Sequence, residues 1–216
     1  MKKNVLEVKK FFDEHSKNFL IAIVDNGSTD HTYEIAESLQ SEYSNIAAFR
    51  LKEKGRGRAL RFRILNSSFS FVGYMDIDLS SNLSGLLRMY EELARGYDVV
   101  IGSRLLPGAE VQRSLIRRFL STGYSFLVRW VLNLPYKDYQ CGFKLFRRKQ
   151  ILNLLSLIKN NNWFFDTELI YYAHNNKLRI KEVPVLWKER KRGKVRLIPT
   201  IVEDILGIVR LKLKNG

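Results

Sequence analysis

The chain has 216 residues, of which 45% are hydrophobic and 12% aromatic, so it can form the core of one large domain or two small ones. Its net charge of +15 favours an anionic partner: a phosphorylated substrate, a lipid surface or nucleic acid. The single cysteine, Cys141, excludes an internal disulfide, and three scattered histidines do not make a zinc site. No apolar run approaches the roughly 18 residues that a membrane-spanning helix needs.

The first quarter of the sequence predicts the order helix, strand, turn, helix, strand. Apolar residues recur at helical spacing between Val5 and Phe12, and the uniformly apolar residues 19–24 predict a strand that is buried on both faces. Residues 25–30 combine turn-forming with helix-capping side chains, and residues 46–51 predict a second strand. This order predicts an α/β fold with a doubly wound, mainly parallel sheet flanked by helices.

A basic loop with two glycines, residues 52–58, follows the second predicted strand and contains Lys54 and Arg58. Backbone N–H groups and cations at the start of a helix can hold a phosphate group. A solvated charged turn has the same composition and is the more common explanation. The loop alone therefore does not identify a phosphate site.

Two carboxylates, Asp76 and Asp78, lie between an apolar stretch at residues 69–73 and helix-capping residues at 80–82. Open α/β sheets bind their ligands at such strand ends. On an extended backbone the two side chains point the same way, and Mg²⁺ or Mn²⁺ would relieve their repulsion and carry nucleotide phosphates. Two aspartates that cap a turn explain the motif equally well, because Asp-x-Asp is short and common.

Residues 98–104 predict another buried strand, which ends in Arg104 at the same edge of the sheet. Residues 113–134 mix four arginines with many large apolar side chains. They are too apolar for an exposed helix and too charged for a membrane span. A helix at a membrane interface and a core helix whose arginines reach solvent fit this composition equally.

The remaining sequence predicts a loop and strand at residues 139–146, and a helix from about residue 163 with acidic residues near its positive end. Residues 179–187 predict a strand, and Pro184 indicates a sheet edge. The basic amphipathic tail fits either an anionic membrane surface or packing on the domain. We expect residues 1–197 to form one domain and residues 198–216 a C-terminal helix.

These stretches, in this order, resemble family 2 glycosyltransferases of the GT-A fold, in particular the dolichyl-phosphate β-glucosyltransferases and other polyprenyl-phosphate sugar synthases. The resemblance runs from about residue 19 to residue 194. Its most specific part combines Gln-Cys-Gly-Phe-Lys at residues 140–144 with Phe-Asp-x-Glu-Leu at residues 165–169. The other matching stretches are residues 24–30, 54–60, 76–80, 102–104 and 182–187.

The resemblance implies an enzyme that moves a hexose, first of all glucose from UDP-glucose, to a dolichyl or other polyprenyl phosphate with inversion at the anomeric carbon. The expected cofactor is Mg²⁺ or Mn²⁺. The expected location is the cytoplasm, with peripheral contact to the cytoplasmic face of a membrane. No base-reading motif is present, so nucleic acid is not an expected partner.

The resemblance also implies roles for individual residues. Nucleotide-sugar binding is expected from Asp25, Gly27, Lys54, Arg58, Asp76, Gln140 and Lys194. The expected metal ligands are Asp76 and Asp78, and the expected catalytic set is Asp78, Arg104, Arg117, Ser121 and Asp166. In that set two arginines and the serine would hold the acceptor phosphate, with Arg118 nearly as good a choice as Arg117.

The sequence departs from the family pattern at two places. The family has two adjacent aspartates where this sequence has Asp25 and Asn26, which would alter a contact to the base. The family also begins with an apolar strand that ends in Pro-x-Tyr-Asn-Glu, and this sequence lacks it. Loss of that central strand would leave its two neighbours with unpaired backbone groups. The sequence is then either a truncated reading frame or a divergent member with weakened donor binding.

Two other functions compete with the first. A transferase of the same fold that acts on a soluble hydroxyl acceptor would need a general base, for which Asp166 and Glu168 are the candidates. An inactive protein that binds an anionic membrane or nucleic acid through its basic charge is the third hypothesis.

Overall fold

The computed structural model describes residues 1–16, 18–189 and 197–214, and its helices and strands confirm the predicted α/β class. The helices are α1 (Lys2–His15), α2 (Thr32–Glu42), α3 (Arg56–Leu65), α4 (Gly85–Ala94), α5 (Leu115–Leu132), α6 (Arg148–Ile151), α7 (Phe165–Asn175) and α8 (Leu197–Lys214). The strands are β1 (Ile21–Asn26), β2 (Ile46–Leu51), β3 (Phe71–Tyr74), β4 (Val99–Ser103), β5 (Glu110–Gln112), β6 (Lys144–Arg147), β7 (Ile180–Pro184) and β8 (Leu186–Lys188).

The strands form three sheets. Strands β1 and β2 pair in parallel, a four-stranded sheet has the order β3-β6-β4-β7, and β5 pairs in parallel with β8. Within the four-stranded sheet β6 runs antiparallel to both neighbours, whereas β4 and β7 are parallel. Three of these five pairings are parallel, which confirms the predicted mixed, mainly parallel arrangement.

The sheet is interrupted beside β1. In the residues that the structure describes, β1 pairs with β2 alone, β3 pairs with β6 alone, and no strand joins the two sheets. Helix α1 contacts the end of β3 through Asn4, whose side-chain amide donates to the carbonyl of Ile77 at 2.9 Å.

Helix α7 lies deep in the protein, and residues 165–173 are all buried. Its apolar side chains pack in the main core cluster with Val128 of α5, Phe146 of β6 and Ile208 of α8. Burial on all sides agrees with the apolar run at residues 169–173, and it places the polar Asp166, Thr167 and Glu168 of the first turn inside the protein.

The strand predicted over residues 179–187 is two strands, because the chain passes from one sheet to another at Val185, whose N–H donates to Ser103 of β4 and whose carbonyl accepts from Glu110 of β5, both at 3.2 Å. Strand β7 lies at the edge of its sheet, as Pro184 predicts, and β8 moves on to pair with β5. Trp187 in β8 also forms an isolated antiparallel β-bridge with Ser81, which follows Asp76 and Asp78 in the chain. The β5–β8 sheet therefore lies next to the Asp-x-Asp segment.

Helices α5 and α8 contact each other, and each has one buried and one exposed apolar face. In α5, Val128 is buried while Phe119 and Trp130 are 78% and 76% exposed. In α8, Ile208 is buried while Leu206 is exposed. Both helices thus pack on the domain and also present apolar side chains to the outside. No helix among the described residues is both long enough and apolar enough to cross a membrane.

Candidate active site

The two aspartates of the Asp-x-Asp motif lie in a tight turn after β3. Strand β3 ends at Tyr74, and the Leu79 N–H donates to the Asp76 carbonyl at 3.1 Å, with Leu79 at a φ of 52°. The Asp78 carboxylate accepts from the Ser80 N–H at 3.0 Å. The expectation of an extended backbone at these residues was wrong, because the chain turns as soon as β6 no longer pairs with it.

The two carboxylates still act on each other electrostatically. Burial raises the pKa of Asp76, and the negative charges of Asp166 and Asp78 raise it further, against the opposing effect of Arg56. The turn therefore carries more negative charge than its protein neighbours neutralise.

A network with a buried centre, the carboxylate cluster, consists of Arg56, Tyr74, Asp76, Lys144 and Asp166; Lys144 and Asp166 are buried, while the Asp76 side chain is 44% exposed. Arg56 Nη1 donates to one oxygen of Asp166 at 2.5 Å, and Lys144 Nζ donates to the other at 2.5 Å. The Tyr74 hydroxyl donates to that second oxygen as well. Arg56 Nη2 also lies 3.5 Å from Asp76 Oδ1, so one guanidinium joins the two carboxylates. Burial alone would raise the pKa of Asp166, but Arg56 and Lys144 hold it below its usual value.

Residues 139–143, here called the Gln140 loop, are held against this cluster. Besides Asp166, Lys144 Nζ donates to the carbonyls of Tyr139 at 3.1 Å and Cys141 at 2.6 Å. A Cβ added at Gly142 would collide with the Asp76 carboxylate, so only glycine lets the loop come this close. The resemblance pointed to this stretch, and the structure shows the packing that needs its Gly and Lys.

The donor set fits a cation that is shared with phosphate oxygens, and does not fit a cage made by the protein alone. Across residues 1–16, 18–189 and 197–214, no group of three or more His, Cys, Asp or Glu side chains could hold a metal ion. Asp76 and Asp78 therefore offer two carboxylates at most. Mg²⁺ and Mn²⁺ accept such a set when substrate phosphates and water complete six oxygen ligands.

The end of β1 is shaped by two neighbouring polar residues. The Asp25 carboxylate is buried, and one oxygen accepts from the Ser28 N–H at 3.1 Å. Its other oxygen has no hydrogen-bond partner among the described residues and lies 3.5 Å from Arg50. The Asn26 side-chain oxygen accepts from the Gly55 N–H at 2.6 Å, a role that an aspartate oxygen would fill equally well. This departure from the family pattern therefore costs no contact inside the protein.

The predicted phosphate loop lies against the end of β1. Gly27 has a φ of 74°, and a Cβ there would lie 3.1 Å from Lys54, so Gly27 and Lys54 are neighbours. The Arg58 guanidinium pairs with Glu53 and donates to the Lys54 carbonyl at 3.3 Å. Lys194, also predicted to bind the nucleotide sugar, lies outside the described residues.

Four polar side chains, Arg104, Arg113, Arg117 and Ser121, form what we call the arginine cluster. The Arg113 guanidinium donates to the Ser121 hydroxyl and, at 2.5 Å, to the Arg117 carbonyl. The guanidiniums of Arg104 and Arg113 lie 5.9 and 5.8 Å from the ring centre of Trp187, so the same ring contacts both. The structure thus brings the three residues predicted for the acceptor phosphate to one place.

Two carboxylates partly neutralise this cluster. Arg104 donates to Asp138 through Nε at 2.8 Å and Nη2 at 2.9 Å, and Arg117 pairs with Glu189 at 2.6 Å. Burial alone would lower the pKa of Arg104, but Asp138 raises it above its usual value. Arg104 is therefore firmly held and keeps only part of its guanidinium for a ligand.

Sequence analysis missed Arg113 as a site residue. Burial and the charge of Arg104 lower its pKa to about 10, and its Nε finds no hydrogen-bond partner within the described part of the chain. A half-buried cation with an unused donor suits an anion. Its position directly before α5 was a signal in the sequence. Arg118, the second choice for this site, is exposed.

Glu168 was a candidate base for the rival hydroxyl-transfer hypothesis. The structure buries it completely, and its oxygens accept from the backbone N–H groups of Lys159 and Asn160 at 3.0 and 2.7 Å and from Arg210 at 2.6 Å. With both oxygens engaged inside the protein, Glu168 ties α7 to α8 and is not accessible to a substrate.

The family model of glycosyl transferase family 2 matches residues 3–154 of the chain, which is more than half of it. The chain belongs to this family. The predicted resemblance is therefore confirmed.

Relatives with curated names are similar over most of the chain. It is 34% identical over 192 residues to the glycosyltransferase AglD of Haloferax volcanii, covering 88% of this chain and 30% of that protein. It is 30% identical to the dolichyl-phosphate beta-glucosyltransferases of Saccharomyces cerevisiae and Homo sapiens, covering 86% and 91% of this chain and 61% and 64% of those proteins. The chain thus spans about one to two thirds of the length of these relatives.

The fold of this family 2 chain matches that of glucosyl-3-phosphoglycerate synthase from Mycobacterium tuberculosis. The structure of that enzyme with Mn²⁺, UDP-glucose and phosphoglyceric acid aligns with a TM-score of 0.66 at 15% identity, covering 88% of this chain and 68% of the enzyme. The similarity confirms the predicted GT-A fold.

Proposed function

We propose that this chain is the catalytic domain of an inverting glycosyltransferase that moves glucose from UDP-glucose to a polyprenyl phosphate. The names of the dolichyl-phosphate beta-glucosyltransferase relatives support the acceptor, and the UDP-glucose complex of the M. tuberculosis enzyme supports the donor. The observation that carries the proposal is that both oxygens of Asp166, in the first turn of α7, are occupied by cations of the protein.

An acceptor hydroxyl must lose a proton as it attacks, so its transfer needs a general base whose pKa lies near the working pH. Asp166 is a poor base, because Arg56 and Lys144 hold its pKa below its usual value and occupy its oxygens. A phosphate acceptor is already an anion and needs no base. The carboxylate cluster therefore favours a phosphate over a hydroxyl acceptor.

The arginine cluster offers a place for that acceptor phosphate. Arg113 brings a half-buried guanidinium and Ser121 a hydroxyl, and Arg117 adds a cation beside them. Guanidinium groups bind phosphate oxygens through paired hydrogen bonds, and partial burial strengthens each of these bonds. Arg104, which its hydrogen bonds to Asp138 hold in place, adds positive charge to the site.

On the donor side, the region of Asp25 and Gly27 would bind the base and ribose of the nucleotide sugar, and Lys54 and Arg58 would bind its diphosphate. Asp78 and Asp76 would hold Mg²⁺ or Mn²⁺, which supplies positive charge to the diphosphate. An oxygen of the acceptor phosphate attacks C1 of glucose, the bond from C1 to the diphosphate oxygen breaks, and UDP leaves with the electron pair. No proton has to move in this step.

We assign the exposed apolar faces of α5 and α8 to contact with the membrane that holds the lipid acceptor, on its cytoplasmic face. Phe119, Phe126 and Trp130 of α5 are all more than two-thirds exposed. Basic side chains accompany them, among them Arg118 on α5 and Lys212 on α8. An apolar stripe with basic neighbours is typical of helices that lie in the headgroup region of an anionic bilayer.

The first experiment is calorimetric titration with UDP, UDP-glucose and GDP-mannose, each with Mn²⁺ and with a chelator. The proposal predicts metal-dependent binding of the two uridine nucleotides, and then transfer of labelled glucose to polyprenyl phosphate in vesicles. Transfer to water-soluble hydroxyl acceptors without lipid would favour the rival transferase. Salt-sensitive binding of nucleic acid without any nucleotide-sugar affinity would favour the inactive binding protein.

A further inference from the structure

Helix α8 reaches the Gln140 loop through one buried carboxyl group. Asp204 is only 6% exposed, and its Oδ2 accepts from the Gln140 side-chain amide at 2.9 Å. Its Oδ1 has no hydrogen-bond partner among the residues that the structure describes. Burial and the charge of the nearby Glu203 together raise the pKa of Asp204 to about 7, against the opposing effect of the hydrogen bond from Gln140.

A buried carboxyl group with one hydrogen bond and no cation beside it is costly to the fold. An apolar side chain on this inner face of α8 would pack against the core as its neighbours Ile208 and Leu211 do. Proteins retain such costly groups mainly at sites where they serve a function. The position of Asp204 therefore calls for a role other than stability.

The Gln140 loop connects Asp204 with the carboxylate cluster. Gly142 of the loop packs against Asp76, and Lys144 binds two of the loop carbonyls together with Asp166. Because Gly142 and Lys144 follow Gln140 closely in the chain, a change in the position of Gln140 would also move the residues that contact Asp76 and Asp166.

Asp204 also acts electrostatically on α5. Burial, together with the negative charge of Asp204, raises the pKa of Tyr124 on α5 well above its usual value. The Tyr124 hydroxyl shares a 2.5 Å hydrogen bond with Thr167, the residue after Asp166. Asp204 thus faces Gln140 from the loop, Tyr124 from α5 and Glu203 on its own helix.

We propose that Asp204 is a positioning residue through which α8 holds Gln140, and with it the Gln140 loop, in the arrangement needed for glycosyl transfer. The inference rests on the proposed function and adds a link to the membrane. The outer face of α8 carries exposed apolar side chains such as Val202 and Leu206, while its inner face holds the loop. The same helix would then contact the lipid with one face and hold Gln140 in place with the other.

Helix α8 stays docked without Asp204, because other contacts hold it. A Cβ added at Gly207 would collide with the ring of Phe164, which shows how closely the helix packs. Glu203 accepts from the side-chain amides of Asn160 and Asn162 at 2.7 and 2.9 Å, and Arg210 binds Glu168. Substitutions at position 204 can therefore be tested in a folded protein.

The test compares D204L, which removes the acceptor oxygen, with D204N, which keeps one. D204L should lose about tenfold in kcat/KM for transfer to polyprenyl phosphate, whereas D204N should stay near the parent. The thermal midpoint of D204L should equal or exceed that of the parent. E203Q, which changes the adjacent charge on the same helix, should leave kcat/KM unchanged.

A double-mutant cycle with Q140L then tests whether Asp204 acts through Gln140. The D204L/Q140L protein should be no less active than Q140L alone, because Asp204 acts through Gln140. Three outcomes would each overturn the proposal. The first is that the activity losses of D204L and Q140L multiply in the double variant. The second is a D204N protein as impaired as D204L, and the third is a D204L protein that loses activity only through a lower thermal midpoint.

Amide hydrogen exchange keeps the proposal separate from the proposed function. Peptides covering residues 139–143 should exchange about tenfold faster in D204L than in the parent, with no change in E203Q. Faster exchange in a protein without transferase activity would support the coupling and refute the glucosyltransferase assignment. Unchanged exchange in D204L would refute the coupling even if transfer is observed.

Discussion

The carboxylate cluster and the arginine cluster differ in the sign of the charge left over after ion pairing. Asp78 and the two carboxylates of the first cluster share two cations, Arg56 and Lys144, which leaves one negative charge in excess. The three arginines of the second share two carboxylates, Asp138 and Glu189, which leaves one positive charge in excess. Both counts cover the described residues.

The difference indicates what each side can bind. A negative excess at the turn accepts a divalent cation with a diphosphate attached, while a positive excess around Trp187 accepts an anionic group. A site that binds a metal diphosphate next to a second anion suits the transfer of a sugar from a nucleoside diphosphate to an acceptor phosphate. The predictions below remove, in turn, the elements on which this contrast depends.

The largest effect is expected from Asp78→Ala. Removing this carboxylate should lower transfer by at least about a hundredfold, because preorganised charge stabilisation of the leaving diphosphate is lost. Titration with UDP should also lose its dependence on Mn²⁺. Glu53→Ala, which removes an exposed carboxylate from the neighbouring loop, is the control and should leave the metal dependence intact. Turnover like that of the parent in D78A would contradict the negative-excess side of the comparison.

The next effect concerns the positive excess. Arg113→Ala should raise the KM for polyprenyl phosphate by about 10- to 100-fold, because charge-assisted hydrogen bonds contribute roughly 1.5–3 kcal/mol. UDP affinity should stay the same. Arg88→Ala, which removes an exposed arginine of α4 instead, should change the KM little. Equal effects in the two variants would mean that the cluster has no special relation to the acceptor.

A smaller effect is expected where the Gln140 loop touches the turn. Gly142→Ala should displace the flexible Asp76 carboxylate, weakening metal-dependent UDP binding about tenfold with little loss of stability. Gly123→Ala in α5 has open space around the added methyl group and should stabilise the protein by up to about 1 kcal/mol without affecting UDP binding. Calorimetry and thermal melting distinguish the two, and an unchanged UDP affinity in G142A would argue against the tight contact.

The smallest effect is on the pH dependence of stability. The pKa of Asp204 is about 7 in the folded state and near 4 when unfolded, so the folded state binds the extra proton and loses stability as pH rises from about 4 through 7. Asp204→Asn removes this titration. The advantage of D204N in thermal midpoint should therefore grow between pH 5 and pH 8, by roughly 5–10 °C. An advantage independent of pH would show that Asp204 is not buried as described.

Sequence patterns predicted most of the architecture, because the strand and helix signals are local. The buried strand before Arg104, the helix that begins near Asp166 and the edge strand with Pro184 all depend on runs of adjacent residues. The pairing of Arg56 with Asp166 joins residues 110 positions apart, which no periodicity reveals.

The missed features have the same physical origin. The turn at Asp76 arises because pairing with β6 stops at Tyr74, and this depends on the length of another strand. Arg113 became a site residue only when Trp187 and Ser121 were brought beside it. An ion pair or a shared aromatic ring depends on the tertiary fold, so it cannot be predicted from the neighbours of a residue in the chain.

The choice between a phosphate and a hydroxyl acceptor is the central claim, and a competition assay tests it most directly. Labelled UDP-glucose and Mn²⁺ are given together with polyprenyl phosphate in anionic vesicles and phosphoglyceric acid in solution, and the label is then partitioned between lipid and water. We expect the transferred glucose to appear in the lipid phase, and we expect Arg113→Ala to lower this transfer at polyprenyl phosphate concentrations below the KM. Transfer of the label to phosphoglyceric acid would contradict it.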